Sequence, residues 1–516
     1  MLSILKNLLY QDFNKLNQTN LANFKRNWAR HLGRTPKDSQ VLEAYRSLVA
    51  EGKLKPNPQF EKQLRVRRVR SQSGVTPFAV MTKPWPCPGQ CTYCPLEEGM
   101  PKSYLSDEPA AQRAKKLNFD PYLQIQNRIQ QLEETGHKPN KIELIVIGGT
   151  FSNYPKDYKL HFFKRMFDAL NGQEASSLEE AQVLNETAAR RVVGLSVETR
   201  PDWLTPDEIK LIRYLGVTKL QVGVQAFDEN ILKKIKRGHS LDDVAQAIRY
   251  LKNAGFKLCL HFMPNLPGST PEHDLEMAKI MYQDPRFKPD FVKIYPTQVI
   301  PGTELYRQWE RGEFETYDDQ TMMEVLKQIK LITPPWVRID RLVRDISKQW
   351  VKSGTHKTNM RQLIQDQLKR EGKACQCIRC REIKDQNYNE TPSLVTREIE
   401  TLGGDEYMFS FEANNHLYSL LRLRLPHPGE EILFPELEKA ALIREVHTFG
   451  VVVPVDAKDA NKPQHKGFGR KLITHAEQVA KKHGYRKIAV ISAIGTRNYY
   501  RKLGYQLEGL YMTKNL

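Results

Sequence analysis

Cysteine is scarce in this chain, with seven residues among 516, and six of the seven fall in two tight groups. That distribution excludes the spread framework of a disulfide-bonded secreted protein and indicates metal ligation in a reducing compartment. The chain has no run of about 18 apolar residues and no cleavable signal pattern, so we expect no membrane span and a cytoplasmic location. Internal repeats and low-complexity tracts are also missing, which excludes repeat architectures.

Acidic side chains are in deficit, with 60 Asp and Glu against 79 Lys and Arg, for a formal net charge of +19. This excess favours a polyanionic partner, and nucleic acid comes first because its binding releases condensed counterions. A membrane surface would attract the same bulk charge. A hydrophobic content of 40% is enough for packed globular units, and the length predicts two to four domains.

Four regions differ in pattern along the chain. Residues 1–75 are predicted to be helical and basic, and their end, "KQLRVRRVR", favours nucleic-acid contact over a solvated face. Residues 76–345 alternate apolar runs such as "IELIVI" and "KLQVGV" with amphipathic stretches. That alternation predicts a parallel α/β sheet, either doubly wound or a full or partial barrel. A cysteine-bearing connector (346–395) and an α+β region (396–516) follow.

The first cysteine group, Cys87, Cys91 and Cys94, has the spacing C-x3-C-x2-C in "KPWPCPGQCTYCP". On spacing alone it is compatible with zinc, an iron–sulfur cluster or a redox disulfide. A tetrahedral zinc site would normally recruit a fourth ligand nearby, and zinc ribbons sit on hairpins, whereas this loop precedes a parallel α/β region. Three cysteines would leave one iron of a 4Fe–4S cluster open for another ligand. We therefore favour the cluster.

This loop and the strands after it resemble the radical S-adenosylmethionine enzymes. The resemblance implies a partial (β/α) barrel, a 4Fe–4S cluster and S-adenosylmethionine chelated to the open iron. It assigns "GGT", which is Gly148, Gly149 and Thr150, to the cofactor's amino group. Glu198 and Gln225, at the ends of two predicted strands, are assigned as further cofactor contacts.

The C-terminal region contains "QHKGFG", Gln464 to Gly469, at the predicted start of a helix. A glycine-rich helix start presents unpaired N–H groups to a phosphate. With "GTRNYYRKLGYQLEG", this motif resembles the Gcn5-related N-acetyltransferases, which implies that acetyl-CoA binds here. The resemblance assigns Tyr499 and Tyr500 as catalytic candidates near the thioester. It assigns coenzyme A contacts to Glu445, Val446, His447, Thr448, Gly467, Phe468, Gly469 and Tyr499.

Both regions in this order resemble the catalytic subunit of the Elongator complex and its stand-alone homologues. Supporting stretches include "HFMPNLPGST", "VKIYPTQVIPGTELY" and "CQCIRCREI". The resemblance implies carboxymethylation of carbon 5 of the wobble uridine in the tRNA anticodon stem-loop. It implies that a 5′-deoxyadenosyl radical takes a hydrogen from the acetyl group of acetyl-CoA, that the carbon radical adds to uracil, and that the thioester is hydrolysed. Lys141 is assigned as an acetyl-CoA contact, an electron donor is needed, and self-association is an open expectation.

The second cysteine group, Cys375, Cys377 and Cys380, has the spacing C-x-C-x2-C. It predicts a structural zinc site in the connector, with a second iron–sulfur cluster as the competing interpretation. His356 is the nearest upstream histidine, but the fourth ligand is left unassigned. Cys259, in the apolar run "KLCLHF", is predicted to be a buried structural thiol.

Two other functions fit the same sequence. One is a protein lysine acetyltransferase whose iron–sulfur cluster is only structural, and the other is a tRNA-binding scaffold without chemistry. The intact cysteine triad and the intact "QHKGFG" argue against the scaffold.

Overall fold

A computed structural model describes residues 1–16, 20–64, 74–384, 390–450 and 467–516. Three features of the sequence lie outside the described residues: the arginines of "RVRRVR" (65–70), the predicted strand end "VVVPV" (451–455), and Gln464. In the part of the chain that is described, no helix combines the length and the apolar character that crossing a bilayer requires.

The N-terminal region is a small helical unit with its own core. Trp28, Tyr45 and Phe60 are buried at its centre, and the indole Nε1 of Trp28 donates to Asp12 at 2.8 Å. The unit contacts the next region through Arg46, whose guanidinium donates to the backbone oxygen of Glu133 at 2.7 Å. Its helices are α1 Leu2–Leu16, α2 Leu21–Leu32, α3 Asp38–Ala50 and α4 Pro58–Leu64.

Seven parallel strands, ordered along the sheet as they are along the chain, form an open barrel. The strands are β1 Thr76–Met81, β2 Lys141–Ile147, β3 Arg191–Thr199, β4 Lys219–Gln225, β5 Lys257–Phe262, β6 Phe291–Ile294 and β7 Arg338–Arg341. Among the described strands β7 does not pair with β1, so the barrel is partial. Strand order without reversal excludes the doubly wound alternative and confirms the predicted partial barrel.

Helices cover the outside of this barrel, and local sequence determines where they start. In α9, for example, Thr205 caps the helix by accepting from the Glu208 amide, and Pro206 occupies the first turn. The barrel helices are α5 Pro109–Lys116, α6 Pro121–Glu134, α7 Lys156–Asn171, α8 Leu178–Asn185, α9 Pro206–Tyr214, α10 Glu229–Lys234, α11 Leu241–Asn253, α12 Pro271–Gln283, α13 Glu304–Glu310 and α14 Asp319–Ile332.

A second seven-stranded sheet, ordered β13-β14-β12-β11-β10-β9-β8, forms the C-terminal domain. Its strands are β8 Ser393–Thr401, β9 Gly404–Ala413, β10 His416–Pro426, β11 Ala440–Thr448, β12 Lys487–Val490, β13 Gln506–Glu508 and β14 Tyr511–Asn515. The helices of the connector and of this domain are α15 Met360–Arg370, α16 Ile378–Arg381, α17 Phe468–Lys482 and α18 Arg497–Arg501. The predicted hairpin is β9 and β10, and this mixed sheet confirms the α+β class.

The two sheets are joined by a buried network of charges. Arg444 of β11 is fully buried and donates to both carboxylate oxygens of Asp290, in the loop before β6, at 2.5 and 3.1 Å. It also donates to Glu406 of β9 at 2.9 Å. The main apolar core is continuous across the boundary, since Leu442, Ala489 and Tyr511 pack into the barrel's cluster. The two domains therefore form one packed body.

Candidate active site

A cavity of about 1170 Å³ occupies the inside of the barrel. All seven strands line it, because alternate residues of each strand point inward. At the carboxyl ends of the strands its wall includes the first cysteine group, and at the opposite end it includes Glu445 and His447 of β11. Basic side chains outnumber carboxylates along the wall. One continuous space therefore reaches both halves of the molecule.

The first cysteine group lies in the loop after β1, and its three thiols are free and half-buried. Thiolates on one zinc ion lie about 3.8 Å apart, yet Cys87, Cys91 and Cys94 do not form a set within 4.8 Å among the described residues. A 4Fe–4S cluster binds its cysteines through separate irons, so it accepts this wider spacing. The guanidinium of Arg237 donates to Cys91 Sγ at 3.3 Å. The residues present fit a cluster better than zinc.

The glycines that follow β2 have conformations that other residues rarely adopt, with φ of 138° at Gly148 and 96° at Gly149. A Cβ on Gly148 would lie 1.9 Å from the hydroxyl of Thr82, so a side chain does not fit there. This turn brings Thr150 Oγ1 to 3.5 Å from Cys87 Sγ. Gly149 and Thr150 both line the cavity next to the cysteines.

Glu198 and Gln225 also line the cavity, at the ends of β3 and β4. Glu198 accepts from the Tyr104 hydroxyl at 2.6 Å and from Lys293 Nζ at 3.0 Å. Burial raises the pKa of Glu198, but Lys293 and its other neighbours outweigh burial and hold it at about 2. The amide oxygen of Gln225 is buried and has no hydrogen-bond partner in the described residues. Glu198 is thus an occupied ion pair, whereas Gln225 offers an open acceptor.

Strand β11 has the barrel cavity on one face and the start of α17 on the other, and its predicted coenzyme A contacts divide between the two faces. Glu445 and His447 point into the barrel cavity, where Glu445 also pairs with Arg422 at 2.9 Å. Val446 and Thr448 point the other way, toward the start of α17: a Cβ on Gly469 would lie 3.8 Å from each of their side chains. Because side chains alternate along a strand, one pair of residues faces the cavity and the other pair faces α17.

The backbone edge of β11 is available beside α17. Among the described strands, β12 pairs with β11 only from Ala440 to Ile443, so residues 444–446 have no described strand partner on that edge. Gly467, with φ 73°, is the residue before α17, and the first N–H groups of that helix have no acceptor within the helix. Phe468 packs against Phe411 and Tyr418, so only its backbone can contribute to ligand binding. An edge beside a helix start suits an extended ligand that ends in phosphates.

The two tyrosines of α18 differ in exposure. Tyr499 is 39% exposed, and a Cβ on Gly469 would lie 3.0 Å from its hydroxyl. Tyr500 is 7% exposed and packs in the core against Tyr505. Burial raises the pKa of both phenols. Tyr499 therefore lies beside the start of α17, whereas Tyr500 packs in the core.

Lys141 opens β2 at the barrel edge that faces the C-terminal domain. It pairs in register with Arg191, and a Cβ on Gly495, just before α18, would lie 2.6 Å from the Arg191 side chain. Burial lowers the pKa of Lys141 to about 8. Four further strands of the barrel also begin with a basic residue: Arg191, Lys219, Lys257 and Arg338.

The sequence analysis missed several polar residues inside the barrel. Lys219 bridges Glu143 at 2.8 Å and Asp340 at 3.7 Å, and Lys257 and Lys293 also line the cavity. A signal was present, because "KLQVGV", "KLCLHFM" and "FVKIY" each carry a lysine within an apolar strand. A charged residue inside a buried strand indicates a polar interior.

The second cysteine group converges more tightly than the first. The sulfurs of Cys375, Cys377 and Cys380 all lie within 4.8 Å of one another. Lys330 Nζ and Gln365 Nε2 each donate to Cys380 Sγ at 3.6 Å. No fourth histidine, cysteine or carboxylate joins the set among the described residues. Cys259 is fully buried, as expected for a structural thiol.

Comparisons with known proteins agree with this division of the chain. Residues 87–281 match the Radical SAM superfamily, residues 289–370 the Radical_SAM C-terminal domain, and residues 460–505 the Acetyltransferase (GNAT) family. The tRNA uridine(34) acetyltransferase of Methanocaldococcus jannaschii is 44% identical over 472 residues, covering 88% of this chain and 86% of that protein. Elongator complex protein 3 of Homo sapiens is 38% identical over 481 residues, covering 89% and 88%.

A solved structure agrees as well. The archaeal Methanocaldococcus infernus Elp3 with an N-terminus deletion superposes with a TM-score of 0.76 at 41% identity, covering 86% of this chain and 100% of that chain. The relative from Methanocaldococcus jannaschii matches 88% of this chain. In this chain the radical S-adenosylmethionine match precedes the acetyltransferase match. The chain therefore belongs to the Elongator complex protein 3 family, enzymes that join a radical S-adenosylmethionine domain to an acetyltransferase domain.

Proposed function

We propose that this chain modifies the wobble uridine of tRNA and that the group it adds is a carboxymethyl at carbon 5. The relatives named tRNA uridine(34) acetyltransferase support the substrate. The positive charge and the basic wall of the cavity suit a polyanion. An anticodon loop is single-stranded, so its base can enter a cavity without duplex opening.

The observation that carries the proposal is the shared cavity. Its wall contains the cysteine loop at one end and Glu445 and His447 of β11 at the other. On the side that faces β12, residues 444–446 of the same strand have no described strand partner and would offer their backbone to acetyl-CoA beside α17. A reaction that joins an acetyl group to a base by radical chemistry needs both ligands to reach one space.

Each ligand has residues suited to it. Cys87, Cys91 and Cys94 would hold the 4Fe–4S cluster. Gly149, Thr150 and the open acceptor of Gln225 would contact S-adenosylmethionine. When bound, the cluster and S-adenosylmethionine supply the radical that removes a hydrogen atom, leaving methionine and 5′-deoxyadenosine. An external donor supplies the electron.

Acetyl-CoA would lie along β11, with its phosphates at the start of α17 and its pantetheine beside the backbone of residues 444–446. Lys141 would contact it from the barrel, and Tyr499 lies where the thioester would end. As the methyl carbon joins carbon 5 of uracil, the hydrogen of that carbon leaves as a proton and one electron passes to an external one-electron acceptor. Water then hydrolyses the thioester to a carboxylate and releases coenzyme A. In this scheme Tyr499 orients or protonates the thioester oxygen.

We also propose that Cys375, Cys377 and Cys380 hold a structural zinc ion. Their convergence within 4.8 Å fits a single ion. Lys330 of α14 and Gln365 of α15 donate to Cys380, so the ion would tie both helices to α16. A solvent molecule or a residue outside the described set would complete the tetrahedron.

The proposal is tested by anaerobic incubation of reconstituted protein with tRNA, acetyl-CoA, S-adenosylmethionine and reductant. Digestion and mass spectrometry of the nucleosides should show carboxymethyluridine with wild type and none with Cys91→Ala. If Cys91→Ala matches wild type, or wild type makes no modified uridine, the proposal fails. Acetylation of peptides in air without S-adenosylmethionine would favour the protein acetyltransferase instead.

A further inference from the structure

Two buried arginines lie beneath the loop of the first cysteine group. Arg200, just after β3, is 5% exposed, and Arg237, after α10, is 6% exposed. Arg237 donates through Nε to the backbone oxygen of Gly223 at 3.2 Å and through Nη1 to Cys91 Sγ at 3.3 Å. Among the described residues, no carboxylate lies within 4.0 Å of Arg237. Its buried charge therefore faces the Cys91 thiol, and the Tyr93 phenol also interacts with it.

Arg200 has most of its donors satisfied, but one is left over. Its Nε and Nη2 form a fork on Asp202 at 3.0 and 2.9 Å, and Nη2 also donates to the backbone oxygen of Arg237 at 2.7 Å. These bonds fix the orientation of the guanidinium. Its Nη1 is buried and has no hydrogen-bond partner in the described residues.

The unpartnered Nη1 points into the cysteine loop. A Cβ on Gly89 would lie 2.5 Å from Arg200 Nη1 and 3.6 Å from Cys87 Sγ. The guanidinium reaches this position only because residue 89 has no side chain. A buried N–H without an acceptor costs about 1–3 kcal/mol or more, so a fixed donor here indicates that an acceptor belongs in the loop.

We propose that Arg200 and Arg237 are positioning residues that set the reduction potential of the cluster. Arg237 donates to the Cys91 thiolate, and Arg200 Nη1 donates to a cluster sulfur or to the Cys87 thiolate. A 4Fe–4S cluster with three thiolates carries net negative charge, and one added electron makes it more negative. Two buried cations and two hydrogen bonds to sulfur favour the reduced state. The inference rests on the proposed function only in requiring a cluster in this loop.

The test measures potential rather than turnover. Wild type and the variants Arg200→Gln, Arg200→Lys, Arg237→Gln and Arg237→Lys are reconstituted anaerobically without tRNA, and cluster reduction is followed by electron paramagnetic resonance during a redox titration. At a fixed potential, each Gln variant should show at least a tenfold lower ratio of reduced to oxidised cluster, about 59 mV for a one-electron couple. Each Lys variant keeps the charge but loses the fork, so its shift should be smaller.

Lys83→Gln is the matched control. Lys83 is an exposed cation near the same loop that stacks on Trp85 and Tyr158, so its removal should leave the potential unchanged. Equal midpoint potentials in wild type and all loaded arginine variants overturn the inference. It is also overturned if Gln and Lys variants keep wild-type circular dichroism but load no iron, because the arginines would then only build the site. If wild type itself binds no cluster, the proposed function fails first.

Discussion

At the scale of single residues, the predicted contacts separate by what surrounds them. Gly148 and Gly149 are needed for their backbone conformation, and Gln225 has an acceptor that the protein leaves open. Glu198 is engaged with Lys293 and Tyr104, so it shapes the cavity wall through an ion pair. Two polar residues at strand ends thus differ in how far the protein itself already satisfies them.

Lys141 makes acetyl-CoA binding dependent on pH. Because burial lowers its pKa to about 8, the charged form that we propose contacts acetyl-CoA is lost as the pH rises through 8. Between pH 7.5 and 9 the Kd for acetyl-CoA, measured by calorimetry, should rise by up to about tenfold in wild type. Lys141→Arg keeps its charge and should bind with little change over this range. An equal pH response in both proteins would contradict the role of Lys141.

Tyr499 and Tyr500 form a matched pair for mutation. Tyr499→Phe removes the hydroxyl beside Gly469 and should slow tRNA-dependent release of coenzyme A by about 10²-fold, the lower range for general acid–base groups. Tyr500→Phe removes a hydroxyl from the core and should stay within about twofold. A thiol-reactive dye reports the released coenzyme A. Equal rates in Tyr499→Phe and wild type would remove Tyr499 from the chemistry.

At the scale of elements, the sequence predicted most of the apolar strands but missed β1, β7 and β8, so the cysteine loop, expected to precede the first strand, follows β1 instead. β7, "RIDR", was missed because its side chains line a polar cavity, and β8 was missed because most of it is exposed at the sheet edge. β1 contains Pro77, which an edge strand tolerates. The cysteine loop and "GGT" were predictable because their spacing is local. The two faces of β11 were not, because they depend on which domain packs on each side.

The connector gives a test at this scale. Cys377→Ser should remove zinc from purified protein, as measured by elemental analysis, and should lower the Tm by several degrees, because α14, α15 and α16 lose their common anchor. Cys259→Ser, a buried cysteine outside the group, is the control and should keep its zinc. Full zinc content in Cys377→Ser would refute the assignment, and iron in place of zinc would favour the second cluster.

At the scale of the whole molecule, the proposed activity requires the two domains to keep one orientation. Glu186, before β3, holds α18 through Arg497 at 3.1 Å and through Arg501, and so fixes the helix that carries Tyr499. The Asp290–Arg444 pair fixes β11 against the barrel. No pattern in the sequence links positions so far apart in the chain, so these contacts became apparent only from the packed structure.

Breaking the buried network of charges between the two domains should therefore lower the stability of the protein. Asp290→Asn leaves Arg444 buried with one charged partner fewer, and should lower the free energy of unfolding of the apoprotein by about 3–5 kcal/mol in urea titrations. Lys279→Gln, in an ion pair with the exposed Glu276, is the control and should cost less than about 1 kcal/mol. Similar losses in both variants would show that the network is not special.

The central claim is that the radical and the acetyl group meet in one cavity, and isotope transfer tests it most directly. Wild type is incubated anaerobically with tRNA, S-adenosylmethionine, reductant and acetyl-CoA deuterated on the methyl group, and the 5′-deoxyadenosine and modified uridine are weighed by mass spectrometry. The account predicts one deuterium in 5′-deoxyadenosine and two in the carboxymethyl group. Unlabelled 5′-deoxyadenosine together with a modified uridine that retains no deuterium would contradict it.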